Sequence, residues 1–246
     1  MSRRIACTTL AAMVFAGVLS VSGAAPSPAG SSPVFVDMTW NLGVDAAGRI
    51  THLATDDTHL KMLHERLEKD IRSWKISPGK VDGVPAATES KLHLSLRIDA
   101  QADGNYRVSL AGASTGGGYA RQTAPKCPEN AAAGRRQGLD VLKVGYDEAG
   151  RVKDVEPFAQ APQADAAFVR SATNAVKTWT FEPEIVGGHS RSSTALVPVC
   201  FRIAAPGVPE VDCNWKLPGN ASGTGEGMFA LDPAARLESD VIGRTL

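Results

Sequence analysis

The chain has 246 residues, enough for one large domain or two small ones, with ordinary hydrophobic (43%) and charged (21%) content. Lys plus Arg and Asp plus Glu each number 26, so no net field draws the protein to nucleic acid or to an anionic membrane. Aromatic residues make up only 6%, which argues against a stacking platform for bases or sugars.

The N-terminus has the layout of a secretory signal. Arg3 and Arg4 precede an apolar run over 10–21, and Ser22-Gly23-Ala24 is a small-residue cleavage site. The run is shorter than the roughly 20 residues a spanning helix needs, and Cys7 lies too early for a lipidated cysteine at the cleavage point. Residues 1–24 are therefore expected to be removed, with cleavage near Ala24, leaving an exported, periplasmic protein with no stable membrane anchor. Cys127, Cys200 and Cys213 then remain, none in a Cys-x-x-Cys pair. Their odd number allows one bridge and one free thiol in an oxidising compartment.

After a Pro-, Ser-, Gly- and Ala-rich leader over 25–33, alternation begins. Val36, Met38, Trp40, Leu42 and Val44 fall on one face of a strand, with Asp37, Thr39 and Asn41 on the other. Asp45-Ala46-Ala47-Gly48-Arg49 is a tight turn, and a second strand runs through Ile50 and Leu53. Asp57 or Thr58 is a candidate helix cap. Leu60, Leu63, Leu67, Ile71 and Trp74 recur at helical spacing, and His59 and His64 are read as solvated. Pro78 ends the helical tendency. Beyond Asp82-Gly83, Leu92, Leu94, Leu96 and Ile98 mark a strand that turns at Asp103-Gly104 and returns through Tyr106, Val108 and Leu110. Residues 112–123, centred on Gly116-Gly117-Gly118, read as a linker. No Lys-Ser/Thr follows them, so they are not a phosphate-binding loop.

The second half replays the first. Asp147-Glu148-Ala149-Gly150-Arg151 repeats the turn, Asp165 is a candidate cap, and Phe168, Ala172, Ala175, Val176 and Trp179 form the helical stripe. Trp74-Lys75-Ile76-Ser77-Pro78 with Gly83 recurs 105 positions later as Trp179-Thr180-Phe181-Glu182-Pro183 with Gly188. The strand Val197, Val199, Phe201, Ile203 follows. Two copies are too few for a solenoid. The expected fold is α+β, with two tandem ββαβ units, each a small antiparallel sheet carrying one helix.

Residues 205–246 fall outside the repeat and read as a loose extension, with a return strand over 211–215 and a short helix opening at Asp232-Pro233. Cys200 and Cys213 are equidistant from Pro206-Gly207, so a hairpin there would oppose them and permit a disulfide. The rival pairing joins Cys127 to one of the two.

The second copy resembles the C-terminal domain of TonB-type energy transducers. The residues that carry the likeness are Cys127-Pro128-Glu129-Asn130-Ala131, the turn 147–151, Trp179-Thr180-Phe181-Glu182-Pro183, Gly188, and Val197-Pro198-Val199-Cys200-Phe201. The likeness covers about 124–204. The first copy, over 34–111, is degenerate, with Ile76 in place of Phe and no Pro in its last strand. The resemblance implies a small ββαβ fold that contacts an envelope protein, such as a TonB-dependent outer-membrane receptor, by adding a partner strand to a sheet edge. Pro198 inside a strand cannot donate to a ladder, which favours an edge position. The candidate partner-binding residues are thus Val197, Pro198, Val199, Cys200, Phe201 and Arg202. Trp74, Pro78, Gly83, Trp179, Phe181, Pro183 and Gly188 are read as the frame that positions this strand. An energy transducer also needs a retained anchor and a long spacer. The leader before Val34 is only about ten residues, reaching at most some 35 Å.

No catalytic constellation, metal site or cofactor site is legible. His59 and His64 miss the i, i+4 spacing of a metal pair, and no Gly-x-Ser-x-Gly elbow occurs. The expectation is a non-catalytic protein-binding module of the envelope. The alternative is a structural periplasmic protein or small-ligand binder with no energy-transducing role.

Overall fold

A computed structural model of the chain describes residues 5–6, 33–55, 61–161, 165–203, 207–209, 211–216, 224–225 and 227–246. The signal cleavage site and the candidate caps Asp57 and Thr58 lie outside these residues. The fold is mixed, rich in strands with few helices, and its sheets are antiparallel apart from one short parallel pairing.

The first sheet is built from β1 (Val34–Val44), β2 (Ile50–Ala54), β3 (Thr88–Ala100) and β4 (Tyr106–Gly116), in the order β2-β1-β3-β4. Helix α1 (Lys61–Ile71) lies between β2 and β3 in sequence and closes one face. Period-two alternation puts Met38, Trp40 and Leu42 from β1 and Leu92, Leu94 and Leu96 from β3 on that face, all under 4% exposed. Leu67, Ile71 and Trp74 meet them from the helix side. His64 joins this core rather than the solvated face. It is 8% exposed and sits edge-on to Trp40, with ring centroids 5.6 Å apart. The apolar stripe of α1 is wide enough to take in this flanking position, and an imidazole edge on an indole face is a favourable contact.

A short strand β5 (Gly118–Arg121) and a one-turn helix α2 (Glu129–Ala133) lead to the second sheet. This holds β6 (Gly138–Tyr146), β7 (Val152–Pro157) and, after helix α3 (Ala166–Val176) and strand β8 (Thr180–Glu182), β9 (Ser193–Arg202), in the order β7-β6-β9. Asp165 caps α3 by accepting from the Ala167 N–H. Phe168, Ala172 and Val176 bury its apolar stripe against Val144, Val197, Val199 and Phe201.

The stretch 112–123 is not a spacer. Its first half completes β4, and β5 pairs with β8. The glycines are there because the chain crosses between tightly packed surfaces. A Cβ on Gly116 would run into Ala230, and one on Gly117 into the Tyr146 hydroxyl and the Glu182 carbonyl. Ile185–Val186 also ties the two halves of the chain together, adding to β3 opposite Thr88 and Glu89.

The segment 227–246 is not loose, and no helix opens at Asp232. Met228 is buried in the second core, and Ala235 and Val241 are buried in the first. Strand β10 (Phe229–Ala230) pairs with β9, Arg236–Leu237 pairs with Ile76–Ser77, and the last residues run along β4 through Leu246 N–H to Val108 O and Gly243 N–H to Leu110 O. Exposed strand edges favour such coverage, because their N–H and C=O groups otherwise lack partners.

Cys200 is bonded to Cys213. Cys127 is disulfide-bonded as well in the full chain, whereas the expectation of one free thiol concerns the chain without residues 1–24. Residues 211–214 form no return strand; Trp215–Lys216 pairs instead with Thr224–Gly225. The bridge ties this segment over the second sheet, where Trp215 packs with Leu139, Val141 and Leu196.

Candidate functional site

The path from α3 to β9 begins with the repeated turns. In the second, the Asp147 carboxylate accepts from the N–H groups of Ala149 (3.0 Å) and Arg151 (2.9 Å) and from the Arg151 guanidinium. Asp45 does the same with Ala47 and Arg49 at 2.9 Å each. These bonds lock the αL-type glycine, Gly150 at φ +74° and Gly48 at φ +80°. The Arg151 backbone N–H, with further help from the Arg151 and Lys153 side chains, holds the Asp147 carboxyl down at about 2.

Each turn receives the Trp-x-apolar-x-Pro stretch. The Phe181 N–H donates to the Gly150 carbonyl at 2.8 Å. Trp179, 5% exposed, donates its indole N–H to Thr123 O at 2.8 Å and stands edge-on to Tyr119. Phe181 stacks on Tyr146, with centroids 4.7 Å apart and planes 4° from parallel. Burial pushes the Tyr146 phenol up to about 12 and raises that of Tyr119 as well. Pro183 is half-buried, and Gly187 and Gly188 turn the chain at φ +59° and +84°. In the matching stretch of the first half, Trp74 and Ile76 are buried, Pro78 is half-buried, and Gly83 turns at φ +82°.

Strand β9 then pairs with β6 along its inner edge, from Ser193 opposite Tyr146 to Phe201 opposite Gly138. Val197, Val199 and Phe201 face α3, and Phe201 packs on Phe168 at 4.6 Å. Leu196 and Cys200 face the other way, under Trp215 and Phe229. Both faces are thus covered, and what β9 offers is its outer backbone edge. Thr194 sends its carbonyl outward to the Leu231 N–H and its own N–H to Asp232. With a period of two, residues 196, 198, 200 and 202 also point outward. The missing N–H of Pro198 therefore faces the outer edge.

That edge is paired at both ends. Strand β10 lies opposite Ala195 and Leu196, and Ile5–Ala6 runs parallel to Phe201–Arg202. Among the described residues no strand pairs with 197–200 on this side. The equivalent strand of the first sheet is different. The outer edge of β3 is paired with β4 from Lys91 to Ala100 and with Ile185–Val186 at its start. Arg202 closes the stretch, with its Nε 3.2 Å from Cys213 Sγ.

Two carboxylates whose distant partners no local pattern foretells fix this arrangement. Glu184, 2% exposed, accepts from the Ser90 hydroxyl (2.7 Å) and from the N–H groups of Ala234 (2.6 Å) and Ala235 (3.1 Å). Asp232 accepts from the Ser193 hydroxyl (2.6 Å) and the Thr194 N–H (3.0 Å). Their partners lie 94 and 39 positions away, beyond the reach of any sequence window.

A cavity of about 50 Å³ separates the polar face of the first sheet, with Asp37, Thr39, His93 and Ser95, from Trp215 and Phe229. Burial lowers the pKa of His93. Its Nε2 donates to the Gly117 carbonyl at 2.7 Å, which leaves Nδ1 to accept from Thr39. Ser95 Oγ and Trp215 Nε1 have no partner among the described residues. Small-molecule pockets run to roughly 300–1,000 Å³, so this space suits a few bridging waters. No cluster of three or more His, Cys, Asp or Glu side chains is placed to hold a metal among the described residues.

Residues 123–203 match the family model described as Gram-negative bacterial TonB protein C-terminal. This segment is a TonB C-terminal-like domain. The match covers a third of the chain and ends at the outer strand of the second sheet, so the whole of β9 belongs to the TonB C-terminal-like segment. A comparison with curated proteins finds no match.

Proposed function

We propose that this chain is a non-catalytic protein-binding module of the bacterial cell envelope that takes an extended segment of an envelope protein onto the outer edge of β9. The partner class is a TonB-dependent outer-membrane receptor, and the context is TonB-dependent transport. The observation that carries the reading is the contrast between the two copies. The outer edge of β3 is paired along most of its length, whereas among the described residues that of β9 is paired at 195–196 and 201–202 and not at 197–200.

In this reading the two sheets are two copies of one ββαβ unit, over 34–111 and 124–204. The first copy has closed its edge with β4 and serves as a platform. The second keeps the binding edge. Export removes residues 1–24 and with them the Ile5–Ala6 pairing at the far end of this edge. An added strand gains backbone hydrogen bonds from the outward groups of Cys200 and the carbonyl of Pro198. The missing donor at Pro198 fixes its register, because only one backbone group there can be answered.

Photocrosslinking in the native envelope tests this, with the reactive side chain at Pro198 or Arg202. The expected product is a covalent adduct with a TonB-dependent receptor. An intact fold that yields no receptor adduct from either position counts against the proposal. Fractionation supplies a second check, since the mature chain is expected to begin near Ala25 and to be recovered from the periplasm.

A further inference from the structure

We infer that residues 228–232 are a resident occupant of the binding edge, and that a partner binds by displacing them. The inference rests on the strand-addition reading above and names the partner's chemistry: an extended segment, antiparallel to β9, with an aromatic residue, a small residue, a free position and an acidic residue in that order.

The segment 228–232 already makes the contacts an added strand makes. Phe229 and Ala230 pair antiparallel with Leu196 and Ala195. The Leu231 N–H continues the ladder to Thr194 O at 2.8 Å. Asp232 ends it by accepting the outward N–H of Thr194 and the Ser193 hydroxyl. The side chains divide by face as a strand's must. Phe229 packs with Leu196 and Trp215 on one side of the sheet, and Met228 enters the core on the other.

Each position sets a requirement on a competitor. Ala230 is 2% exposed and sits against Gly116 so closely that not even a Cβ fits on that glycine. Only a small residue is tolerated there. Leu231 is 40% exposed, so that position is free. The acidic residue is required because the Thr194 N–H and Ser193 hydroxyl both need an acceptor at one point, and hydrogen bonds to a charged acceptor are the stronger kind. The resident segment is tethered to the same chain, which gives it the advantage of a high effective concentration over any free peptide. A partner gains access when that ladder opens, and binding then extends into 197–200.

The test uses the full chain and a fluorescein-labelled peptide with the sequence of residues 227–235, read by anisotropy. Leu231→Pro removes the exposed ladder donor with little change in packing, and Asp232→Ala removes the terminal acceptor. Asp232→Ala is expected to bind the peptide at least about tenfold more tightly than the unaltered chain, the scale set by losing one charge-assisted hydrogen bond, and Leu231→Pro about fivefold, the scale of one neutral backbone bond. A peptide carrying Ala230→Trp is expected not to bind. If Asp232→Ala does not fold, Leu231→Pro decides. Equal affinity for the unaltered chain and a variant with native circular dichroism overturns the inference, as does no binding to that variant. The two proposals fail separately. Enhanced peptide binding without a receptor adduct leaves the occupied edge standing and removes the receptor. A receptor adduct with unchanged peptide affinity does the reverse.

Discussion

The carbonyl of Gly150 accepts the N–H of Phe181 at 2.8 Å, and the Phe181 carbonyl lies against the α-carbon of Gly150 so closely that a Cβ has no room. The two repeated motifs of the second sheet are therefore one contact. In the first sheet Gly48 meets Ile76 in the same manner, where a Cβ would lie 2.7 Å from the Ile76 carbonyl oxygen. The turn glycine serves both its own positive φ and the docking of the Trp-x-apolar-x-Pro stretch.

Substituting that glycine is expected to be costly. Gly150→Ala combines the left-handed penalty with overpacking and is expected to lose about 2–5 kcal/mol of stability. Gly48→Ala has slightly more room and falls below it. Gly83→Ala, at φ +82° with nothing within 4 Å of its Cβ, is expected to cost about 1 kcal/mol. Urea denaturation of the three variants checks the order Gly150, Gly48, Gly83.

The turn carboxylate makes stability depend on acid. The pKa of Asp147 is depressed to about 2 in the folded chain, chiefly by the Arg151 N–H, against about 3.9 when unfolded. The unfolded chain therefore takes up the proton first, and the contribution of Asp147, complete above about pH 5, is lost as pH falls through about 4 toward 2. Asp147→Asn is expected to be less stable at pH 7, with the difference shrinking between pH 4 and pH 2. Urea midpoints across that range measure it.

Trp179 tests the frame beneath β9. Its removal in Trp179→Ala is expected to cost about 3–5 kcal/mol, as for a buried large aromatic. Trp179→Phe keeps most of the volume but loses the bond to Thr123 O, for about 1–2 kcal/mol. Thermal unfolding followed by circular dichroism separates the two terms.

Glu184 tests the tie between both sheets and the C-terminal segment. Glu184→Ala strands the buried N–H groups of Ala234 and Ala235, at about 1–3 kcal/mol each. Hydrogen exchange is expected to show lost protection over 228–238 with β6 still protected. Protection unchanged over 228–238 would mean that Glu184 does not hold the segment.

The sequence by itself determined what is local. Alternation marked β1, β3 and β9, helical spacing marked the stripes of α1 and α3, and the Asp-x-x-Gly-Arg turns and the Asp165 cap carried their chemistry within five residues. Even the Cys200–Cys213 bridge, spanning 13 positions, lay within reach as one of three pairings. Tertiary structure decided the rest. A glycine run reads as a linker until Ala230, Tyr146 and Glu182 are seen pressed against it. His64 reads as solvated until Trp40 is found beside it. Above all, whether a strand edge is open depends on which other strand has reached it. Pro198 marks a place where a donor is missing, but only the pairing of β9 with residues some 35 positions later, and of β3 with its own hairpin, shows how far each outer edge is covered among the described residues. Backbone pairing between distant segments leaves no period in the sequence, because any extended residue carries the same N–H and C=O.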